Sequence, residues 1–337
     1  MAIGFITLIC ITACSPASET VHETRFMMGT LVDFTIYSAN KDNASIGIRA
    51  AADEMQRIEN LFTIYGENSN AIKSFNRSAP GSPNKFPDEV AALLLTSNRI
   101  KHESVGAFSP SLGSLNILWG FSLPTPPFSP PPLDQIEQLQ TDSTNCVTLD
   151  KQQRWSRNNS RCKLDFGAIA KGYALDQGMK MLKSHGIEHA IINAGGDIRI
   201  SGQRGDRAWK IGIRHPRHEK KVVATIRVKS DLSIVTSGDY ERFYSYQGRR
   251  YHHILNPDTG MPATEVQSAT VIAADATSAD AWSTALFVMG TRGLESVEKL
   301  GMDAILIDAD GKIHTTKNIE SRLQLTLTPP MLRTSDH

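Results

Sequence analysis

The sequence predicts an α+β protein, because helix-like and strand-like segments occur in blocks and do not alternate strictly along the chain. Between Ala44 and Leu61 the apolar residues recur at intervals of three and four, the pattern of an amphipathic helix. Between residues 189 and 273, seven short strand-like segments follow one another. The 337 residues, 40% apolar and 21% charged, suffice for one large core or two medium cores.

The N-terminal half is predicted to open with a single strand, in which apolar and polar residues alternate. Six of the sixteen prolines lie in residues 121–132, so this segment is predicted to be an extended surface loop, since proline is excluded from helix interiors and central strands. The predicted elements are a strand at 25–38, a helix at 44–61, a polar loop at 66–78, a helix at 87–102 and a short helix at 133–140.

The C-terminal half is predicted to carry most of the sheet. Its predicted helices lie at 169–185, ended by Gly186, and at 277–289 and 294–300. Its predicted strands lie at 189–193, 197–201, 209–213, 222–228, 233–236, 251–255 and 268–273.

The N-terminus resembles an exported lipoprotein. The mostly apolar run Ala2–Ala13 is too short to span a bilayer, which needs roughly 20 residues. It ends in small residues followed by Cys14, as in a bacterial lipobox. We therefore expect a signal peptide at 1–13, a lipidated tether at 14–24 and a periplasm-facing, lipid-anchored location in the cell envelope. A hydrophobic N-terminus on a cytosolic protein is the alternative.

The remaining cysteines fit an oxidising compartment. Cys146 and Cys162 are sixteen residues apart, and strand-like segments at 147–149 and 163–166 would bring them together across a hairpin. A disulfide between them is the expectation, and two buried free thiols are the alternative. The spacing of Cys and His contains no zinc motif.

The charge balance disfavours nucleic-acid binding. The chain carries 36 Lys and Arg against 35 Asp and Glu, a net charge of +1, whereas nucleic-acid binders concentrate positive charge. A small-molecule or protein substrate is the better expectation.

Two motifs in predicted helices contain chemically useful side chains. Asp280 and Thr284 are four residues apart in a predicted helix, so both oxygens face one side, as ligands of Mg²⁺ require. Asp165 precedes a predicted helix that it would cap, and Lys171, in its first turns, could contact a phosphate. Alone, each pattern is weak, because most Asp and Thr pairs at this spacing are solvated or cap a neighbouring helix, and a cap with a solvated lysine explains Asp165 and Lys171.

The paired glycines of Asn193–Asp197 lie between two strand-like segments, where they favour a tight turn or close approach to a ligand. The motif lacks the pattern of a dinucleotide-binding helix start. His252 and His253 lie in a predicted strand, so they point to opposite faces and at most one belongs to a given site. Such a histidine would suit a general base near neutral pH, although a lone histidine is more often structural.

The order of these motifs resembles the FAD:protein FMN transferase (ApbE-type) family from about residue 25 to residue 315. Each motif is weak by itself, but nine in the same order are specific. They are Met28–Thr30, Asn68–Asn76, Gly106–Phe108, Leu118–Phe121, Asp165–Tyr173, Asn193–Asp197, Thr236–Tyr240, His252–Gly260 and Asp275–Thr284.

The resemblance implies a T-fold-like α+β protein, with mixed sheets packed against helices and a catalytic domain at 25–320 followed by a tail at 321–337. It implies that FAD is bound as substrate, that Mg²⁺ is the cofactor and that FMN is transferred to a Thr or Ser hydroxyl of an acceptor protein, releasing AMP. Subunits of membrane redox pumps are the acceptors it suggests.

The resemblance also assigns residues. The implied FAD contacts are Met28, Tyr65, Ala107, Phe108, Ser109, Asp165, Lys171 and Ile254. The implied metal ligands are the carbonyl of Ala168 and the side chains of Asp280 and Thr284, and His253 is the implied base. Many members have Asp where this chain has Ser109, so an acidic role at that position is not implied here.

The sequence leaves two other functions open and suggests a third from composition alone. Attack by water at the same site would make the protein an FAD pyrophosphatase. A non-catalytic FAD-binding lipoprotein would not require a proton acceptor. Composition alone would also fit a solute-binding lipoprotein, but its alternating βα lobes do not match the second half.

Overall fold

The computed structural model describes residues 19–328, apart from 124, 126, 128, 144, 145, 318 and 324. The predicted signal peptide, Cys14 and residues 329–337 of the predicted tail lie outside the described residues.

Among the described residues, helices form five segments of the N-terminal half and three segments of the C-terminal half, one of which consists of two helices joined by a 3₁₀ turn. They are α1 (Lys41–Phe62), α2 (Ala71–Arg77), α3 (Asp88–Glu103), α4 (Gly113–Trp119), α5 (Leu133–Ser143), α6 (Ala170–Ser184), α7 (Ala276–Met289), a 3₁₀ turn (Gly290–Gly293), α8 (Leu294–Lys299) and α9 (Ile319–Leu323). Among the described residues, no helix combines the length and apolar character needed to cross a bilayer.

The strands form one large sheet and three small ones. They are β1 (Glu19–Met27), β2 (Thr30–Ser38), β3 (Val147–Leu149), β4 (Trp155–Arg157), β5 (Ala190–Ala194), β6 (Asp197–Ser201), β7 (Trp209–His215), β8 (His218–Val228), β9 (Leu232–Gly238), β10 (Phe243–Tyr246), β11 (Arg249–His252), β12 (Val266–Ala273), β13 (Asp303–Asp308), β14 (Ile313–Thr315) and β15 (Thr326–Leu327). The large sheet has the order β1-β2-β5-β6-β9-β12-β13-β14, and the small ones are β15-β8-β7, β10-β11 and β3-β4.

The predicted α+β class is confirmed. All pairs of neighbouring named strands in the described chain are antiparallel, so parallel pairing does not contribute to these sheets. Helices α1, α6 and α7 cover one face of the large sheet, and part of the other face packs against the β7-β8 sheet.

The central strands are buried on both faces. Val271 of β12 belongs to the core beneath the helices, whereas its neighbour Ile272 belongs to the core shared with β7 and β8. Successive strand residues point to opposite faces, so a strand between two layers is apolar at consecutive positions. This explains why the run Val271–Ala273 shows no alternation of apolar and polar residues.

The prediction of a single strand at 25–38 is wrong, because β1 and β2 form a hairpin. Met28 and Gly29 make its two-residue turn, with φ of 54° and 70°, and Met27 pairs with Thr30. Positive φ at both turn residues matches the twist of antiparallel strands. Strand β1 begins at Glu19, so the last six residues of the predicted tether lie in the sheet, where Val21 packs against the core.

The predicted loop at 66–78 also contains a helix, α2. The side chain of Asn70 caps it by accepting from the Lys73 amide, 2.8 Å away. The buried Lys73 ammonium donates to the carbonyls of Tyr65, Gly66 and Asn68, which fixes the preceding turn. Polar composition concealed this helix because two of its polar residues, Lys73 and Asn76, are buried and bond to backbone atoms.

The expected disulfide between Cys146 and Cys162 is present, with Cα atoms 5.1 Å apart. The predicted pairing of the strands beside it is wrong. Strand β3 pairs with residues 155–157 and not with residues 163–166. Cys162 lies instead in a turn where its amide donates to the Asn159 side chain.

A close contact between α6 and α7 positions the candidate site. A Cβ atom at Gly172 would lie only 2.1 Å from the Ala276 carbonyl oxygen, so the two helices pack at a distance that only glycine permits. At this contact the Gly172 amide donates to Asp280 Oδ2, 2.8 Å away. The hydrogen bond brings Asp280 to the start of α6.

Candidate active site

A lysine and two carboxylates meet where α6, α7 and β6 come together. Lys171 Nζ lies 2.5 Å from Asp197 Oδ2, and Asp197 Oδ1 accepts from the Thr236 amide of β9, 3.1 Å away. Asp197 and Asp280 are 2% and 5% exposed, whereas a third of the Lys171 side chain is accessible. We refer to Lys171, Asp197 and Asp280 as the charged cluster.

The electrostatics of the charged cluster favour an additional cation. Burial raises the pKa of the Asp280 carboxyl to about 7; Asp197 adds to the rise and Lys171 opposes it. Burial works against the charge on Lys171, but Asp197 and Asp280 outweigh it and raise the pKa of the lysine. Two carboxylates and one ammonium leave one negative charge in excess, so a cation bound beside Asp280 would favour its ionised form.

The predicted metal ligands lie around the contact between α6 and α7. Thr284 follows Asp280 by one helical turn, as predicted, and its Oγ1 is 3.3 Å from Ser237 Oγ of β9. The Gly172 amide, which a regular helix would direct to the Ala168 carbonyl, donates to Asp280 instead. Within the described chain, no backbone donor contacts the Ala168 carbonyl. A buried side-chain carboxylate, a hydroxyl and a free carbonyl are ligands that suit Mg²⁺.

No group of three or more His, Cys, Asp and Glu side chains suited to a metal ion occurs among the described residues. The candidate ligand set is consistent with this, because it contains only one such side chain, Asp280. The site therefore does not have the donor set of a zinc centre.

The two histidines differ as strand alternation predicts. His252 ends β11 and is buried, with Nε2 2.7 Å from the Ala263 carbonyl oxygen and its ring packed edge-on against Phe287. His253 lies just beyond the strand and is partly exposed, with Nδ1 3.3 Å from the Arg242 carbonyl oxygen. A carbonyl only accepts, so Nδ1 carries the proton in this contact and Nε2 keeps a lone pair.

His253 is neutral at physiological pH. The surrounding protein atoms keep part of the water away from the ring, and this desolvation lowers the pKa of the imidazole well below the ordinary value. The positive charges of Arg242 and Lys171 lower it further. The neutral ring with a free Nε2 has the form that a general base requires. His252 has no such freedom, because its Nε2 is already bonded to a carbonyl.

Asp165 does not cap α6. The helix begins at Ala170 and has no side-chain cap, because Asp165 lies too far before it in the chain. Asp165 instead accepts from the Gly167 amide and from Asn116 Nδ2, both at 2.8 Å, and so holds the loop that leads into α6. Burial raises the pKa of the nearby Tyr65 to about 12, and Asp165 adds to this rise.

Two turns approach each other beside the charged cluster. The amide of Met28 donates to Glu59 Oε2 at 2.9 Å, which holds the β1-β2 turn against α1. A Cβ atom at Gly195 would lie 2.4 Å from Thr30 Oγ1, so the predicted tight turn at Asn193–Asp197 packs directly against this hairpin. Asp197 follows that turn immediately.

Two predicted FAD contacts have side chains that point into the core. Phe108 is 1% exposed and Ile254 is 4% exposed. Their backbone amides are also occupied, by Ser104 Oγ and His252 Nδ1 respectively, whereas Ala107 and Ser109 are partly exposed. Ser109 Oγ accepts from the Ser111 amide at 3.3 Å, so the hydroxyl takes part in a local turn.

Three further residues of this region were not among the sequence predictions. Asp197 lay in a motif interpreted only as a turn, and Ser237 lay in a motif quoted without a role. Arg242 belongs to no recognisable pattern, yet its carbonyl accepts from the His253 amide at 3.1 Å and its guanidinium donates to Ser122 Oγ at 3.1 Å. Only the packing of the strands brings Arg242 beside His253.

A separate cleft of about 470 Å³ lies between α6 and the start of α7. One of its polar groups, Asp176, accepts from the amides of Ala276 and Thr277 and pairs with Arg199. These bonds hold the first turn of α7.

The antiparallel α+β fold and the charged cluster beside His253 define a protein of the ApbE type. Residues 28–306 match the model of the ApbE family. The chain belongs to that family.

Relatives and solved structures agree with this membership. The chain is 31% identical over 325 residues to the FAD:protein FMN transferase of Treponema pallidum, covering 89% of this chain and 87% of that protein. It is 29% identical over 260 residues to the FAD:protein FMN transferase of Escherichia coli K12, covering 75% and 74%.

The crystal structure of the ApbE protein of Thermotoga maritima superposes with a TM-score of 0.82 at 34% identity, covering 90% of this chain and 99% of that chain. The flavin transferase ApbE of Vibrio cholerae superposes with a TM-score of 0.77 at 25% identity, covering 90% and 99%. The predicted family and its fold are thereby confirmed.

Proposed function

We propose that this protein is an FAD:protein FMN transferase, which binds FAD beside the charged cluster and transfers FMN to a Thr or Ser hydroxyl of an acceptor protein. The observation that carries the proposal is the meeting of Lys171, Asp280 and a neutral His253 in a chain of the ApbE family. Relatives that bear the name of this activity, such as the Treponema pallidum protein, support it.

The reaction needs one nucleophile and one leaving group. The hydroxyl oxygen of the acceptor forms a bond to the phosphorus of the FMN half of FAD. The bond from that phosphorus to the bridging oxygen breaks, and AMP leaves with the bridging oxygen. The hydroxyl proton passes to Nε2 of His253.

The partly exposed ammonium of Lys171 is suited to bind the pyrophosphate, because it stabilises the negative charge that develops during transfer. Asp197 orients this ammonium through their ion pair. The walls around FAD would be formed by the turns at Met28 and Gly195, the Tyr65 hydroxyl, Asp165 and the partly exposed residues Ala107 and Ser109.

We propose that Mg²⁺ is held by Asp280, Thr284 and the Ala168 carbonyl. When bound, the ion supplies charge neutralisation on the pyrophosphate. The free carbonyl of Ala168 and the raised pKa of Asp280 support this assignment, since both are features that a cation would stabilise.

We also propose that the acceptor is a subunit of a membrane redox pump and that the enzyme faces the periplasm, lipid-anchored through Cys14. The disulfide between Cys146 and Cys162 supports an oxidising compartment.

The test is to incubate the purified full chain with FAD, Mg²⁺ and the soluble domain of a redox-pump subunit, followed by mass spectrometry of that domain. We expect the domain to gain covalent FMN and AMP to appear in equal amount. The control is the same domain with the acceptor Thr replaced by Val. Release of FMN and AMP without modified acceptor would indicate a pyrophosphatase, and binding of FAD without cleavage would indicate a non-catalytic flavin protein.

A further inference from the structure

We propose that a basic surface beside His253 receives an acidic face of the acceptor protein. The surface consists of Arg214, Arg217 and Lys220 at one end of the β7-β8 hairpin, together with Arg249 and Arg250 of β11. We call it the basic surface. The inference rests on the proposed transfer to a protein hydroxyl and names the chemistry of the partner.

Positive charge is concentrated in two segments of the chain. Residues 214–221 and 239–253 together contain seven Lys and Arg but only three Asp and Glu, an excess of four positive charges. The whole chain has an excess of one. The rest of the molecule is therefore slightly negative, and the basic surface stands out against it.

Ion pairs join the two segments into one surface. The guanidinium of Arg217 contacts both oxygens of Asp239 at 2.7 Å, and Arg250 lies 3.5 Å from the same carboxylate. Arg214 pairs with Glu241 and lies over the ring of Tyr240, 4.5 Å from its centroid. Two carboxylates are thus shared among three arginines.

The positive charge that remains is exposed. Lys220 and Arg249 are exposed, and in the described chain neither lies within ion-pair distance of a carboxylate. Arg249 contacts the face of Tyr251 with its guanidinium 5.1 Å from the ring centroid, and Arg250 lies 4.2 Å above the ring of Phe243, which is 40% exposed. Guanidinium groups over aromatic rings form flat, well-ordered surfaces.

The basic surface reaches the candidate base along β11. Side chains alternate between the two faces of this strand, so Arg249 lies on the face shared with Tyr251 and His253, whereas Arg250 lies on the other face with Phe243 and His252. The β10-β11 hairpin begins directly after Arg242 and ends directly before His253, and the backbone amide of His253 donates to the Arg242 carbonyl at 3.1 Å. Tyr244 and Tyr251 of this hairpin stack on each other and on Phe121 and Trp119, so the hairpin is held firmly against α4.

The position of the basic surface next to His253 favours the acceptor protein as its binding partner. A hydroxyl that gives its proton to His253 belongs to a protein whose neighbouring surface must lie over the residues flanking His253, and these flanking residues are the basic hairpin. Acidic groups around the acceptor hydroxyl would complement it. Complementary charge of this kind raises association rates by roughly 10- to 1,000-fold at low salt, and salt removes much of the effect.

The test compares two double variants with equal change in charge. Lys220→Glu with Arg249→Glu reverses two charges of the basic surface. Arg207→Glu with Lys229→Glu is the control, at the opposite end of the β7-β8 hairpin, about 30 Å from Lys220 at the rise of an extended strand. The four positions are exposed, and none belongs to the proposed FAD or metal site.

Transfer of FMN to the soluble acceptor domain is measured at 0.1 M and 1 M salt, where the Debye length is about 10 Å and about 3 Å. We expect the basic-surface variant to lose at least about tenfold in kcat/KM for the acceptor at 0.1 M salt and much less at 1 M. The kcat/KM of the control variant should stay within about twofold of the wild-type value at both salt concentrations. The affinity for FAD should not change in either variant. Replacing acidic residues of the acceptor by Lys should restore transfer by the basic-surface variant.

Several results would overturn the inference. Equal losses in the two double variants, a loss that does not depend on salt, or weakened FAD binding would each show that the basic surface does not recognise the acceptor. Unchanged transfer combined with lost binding to vesicles rich in phosphatidylserine would assign the surface to a membrane. If the wild type modifies no acceptor at all, the proposed transferase function itself fails, and mass spectrometry distinguishes that outcome from the others.

Discussion

His252 and His253 are neighbours in the chain, yet the structure gives them different chemistry. His252 is fixed by its bond to the Ala263 carbonyl and by packing against Phe287. His253 is partly exposed beside Arg242 and Lys171, with Nε2 free to accept a proton. A single position in a strand therefore decides which imidazole can serve as base.

Replacing the two histidines separately tests this difference. His253→Ala should slow FMN transfer by about 10²- to 10⁴-fold with little change in FAD affinity, since it removes the proposed base. His252→Ala should lower the free energy of unfolding by about 1–3 kcal/mol, because a buried carbonyl loses its donor, while the folded protein transfers FMN at a nearly normal rate. Transfer rate, FAD affinity and thermal melting are measured for both. A competent His253→Ala beside a slow His252→Ala would reverse the assignment.

The pH dependence of transfer provides a second test of His253. Partial loss of water around this half-buried imidazole and the neighbouring cations lower its pKa, so it loses its proton at a lower pH than an ordinary histidine. The base is then already neutral at pH 6.5. With saturating Mg²⁺, which keeps Asp280 ionised, the transfer rate should be nearly constant from about pH 6.5 to 8. A rate that rises about twofold over this range, as an imidazole of ordinary pKa goes from half neutral to almost fully neutral, would mean that the base titrates normally.

Asp280 and Thr284 make unequal contributions to the proposed metal site. Asp280→Ala removes the only formal negative charge among the three ligands, whereas Thr284→Ala removes a neutral oxygen. We expect the Asp280 variant to lose several kcal/mol of transition-state stabilisation and the Thr284 variant to lose less. Transfer rates over a Mg²⁺ titration measure both. Near wild-type activity of Asp280→Ala at limiting Mg²⁺ would contradict the assignment.

At the scale of elements, the contact between α6 and α7 is the feature on which the site depends. Gly172 permits this contact, and its amide holds Asp280 in place. Helix α1 and the β1-β2 turn are joined to the same region through Glu59. Three elements distant in sequence thus converge where α6 begins.

Gly172→Ala tests the importance of this contact. Its Cβ would lie 2.1 Å from the Ala276 carbonyl oxygen and 2.7 Å from the Asp280 Cβ, so the helices must separate. We expect a loss of about 1–3 kcal/mol in the free energy of unfolding, together with a loss of transfer activity. Gly178→Ala on the same helix is the control, because its nearest neighbour at 2.9 Å is the flexible Met55 side chain. Equal destabilisation by the two changes would show that the α6-α7 contact is not special.

At the scale of the whole molecule, the described residues form a layered antiparallel α+β fold, and the proposed anchor lies outside them. The strand that begins at Glu19 leaves four residues between it and Cys14, so a lipid at Cys14 would hold the sheet edge close to the membrane.

Cys14→Ala, expressed with its own N-terminal segment, should release the protein from membranes into the soluble fraction. The reason is that acyl chains contribute about 0.8 kcal/mol for each buried methylene. Fractionation of cells followed by immunoblotting measures this. Identical distribution of wild type and variant would exclude the anchor.

Individual elements show which parts of the fold can be predicted from the sequence. Periodicity predicted α1 and α6, because each buries one apolar face, whereas the equally predicted α7 is buried on most of its sides. It missed α2, two of whose polar residues are buried and bond to the backbone, and it merged β1 and β2, because Met28 with positive φ gives no turn signal comparable to an Asn-Gly pair. The order of motifs predicted the family, and the match over residues 28–306 confirms it.

The sequence by itself determined the α+β class, the family and the types of residue that the site contains, because these follow from local patterns along the chain. Only the tertiary structure decided that Lys171 pairs with Asp197, that Asp280 bonds to the Gly172 amide and that Arg242 lies beside His253. These contacts join segments that are 26, 108 and 11 residues apart. Their chemistry depends on burial and distance, and a linear pattern contains neither quantity.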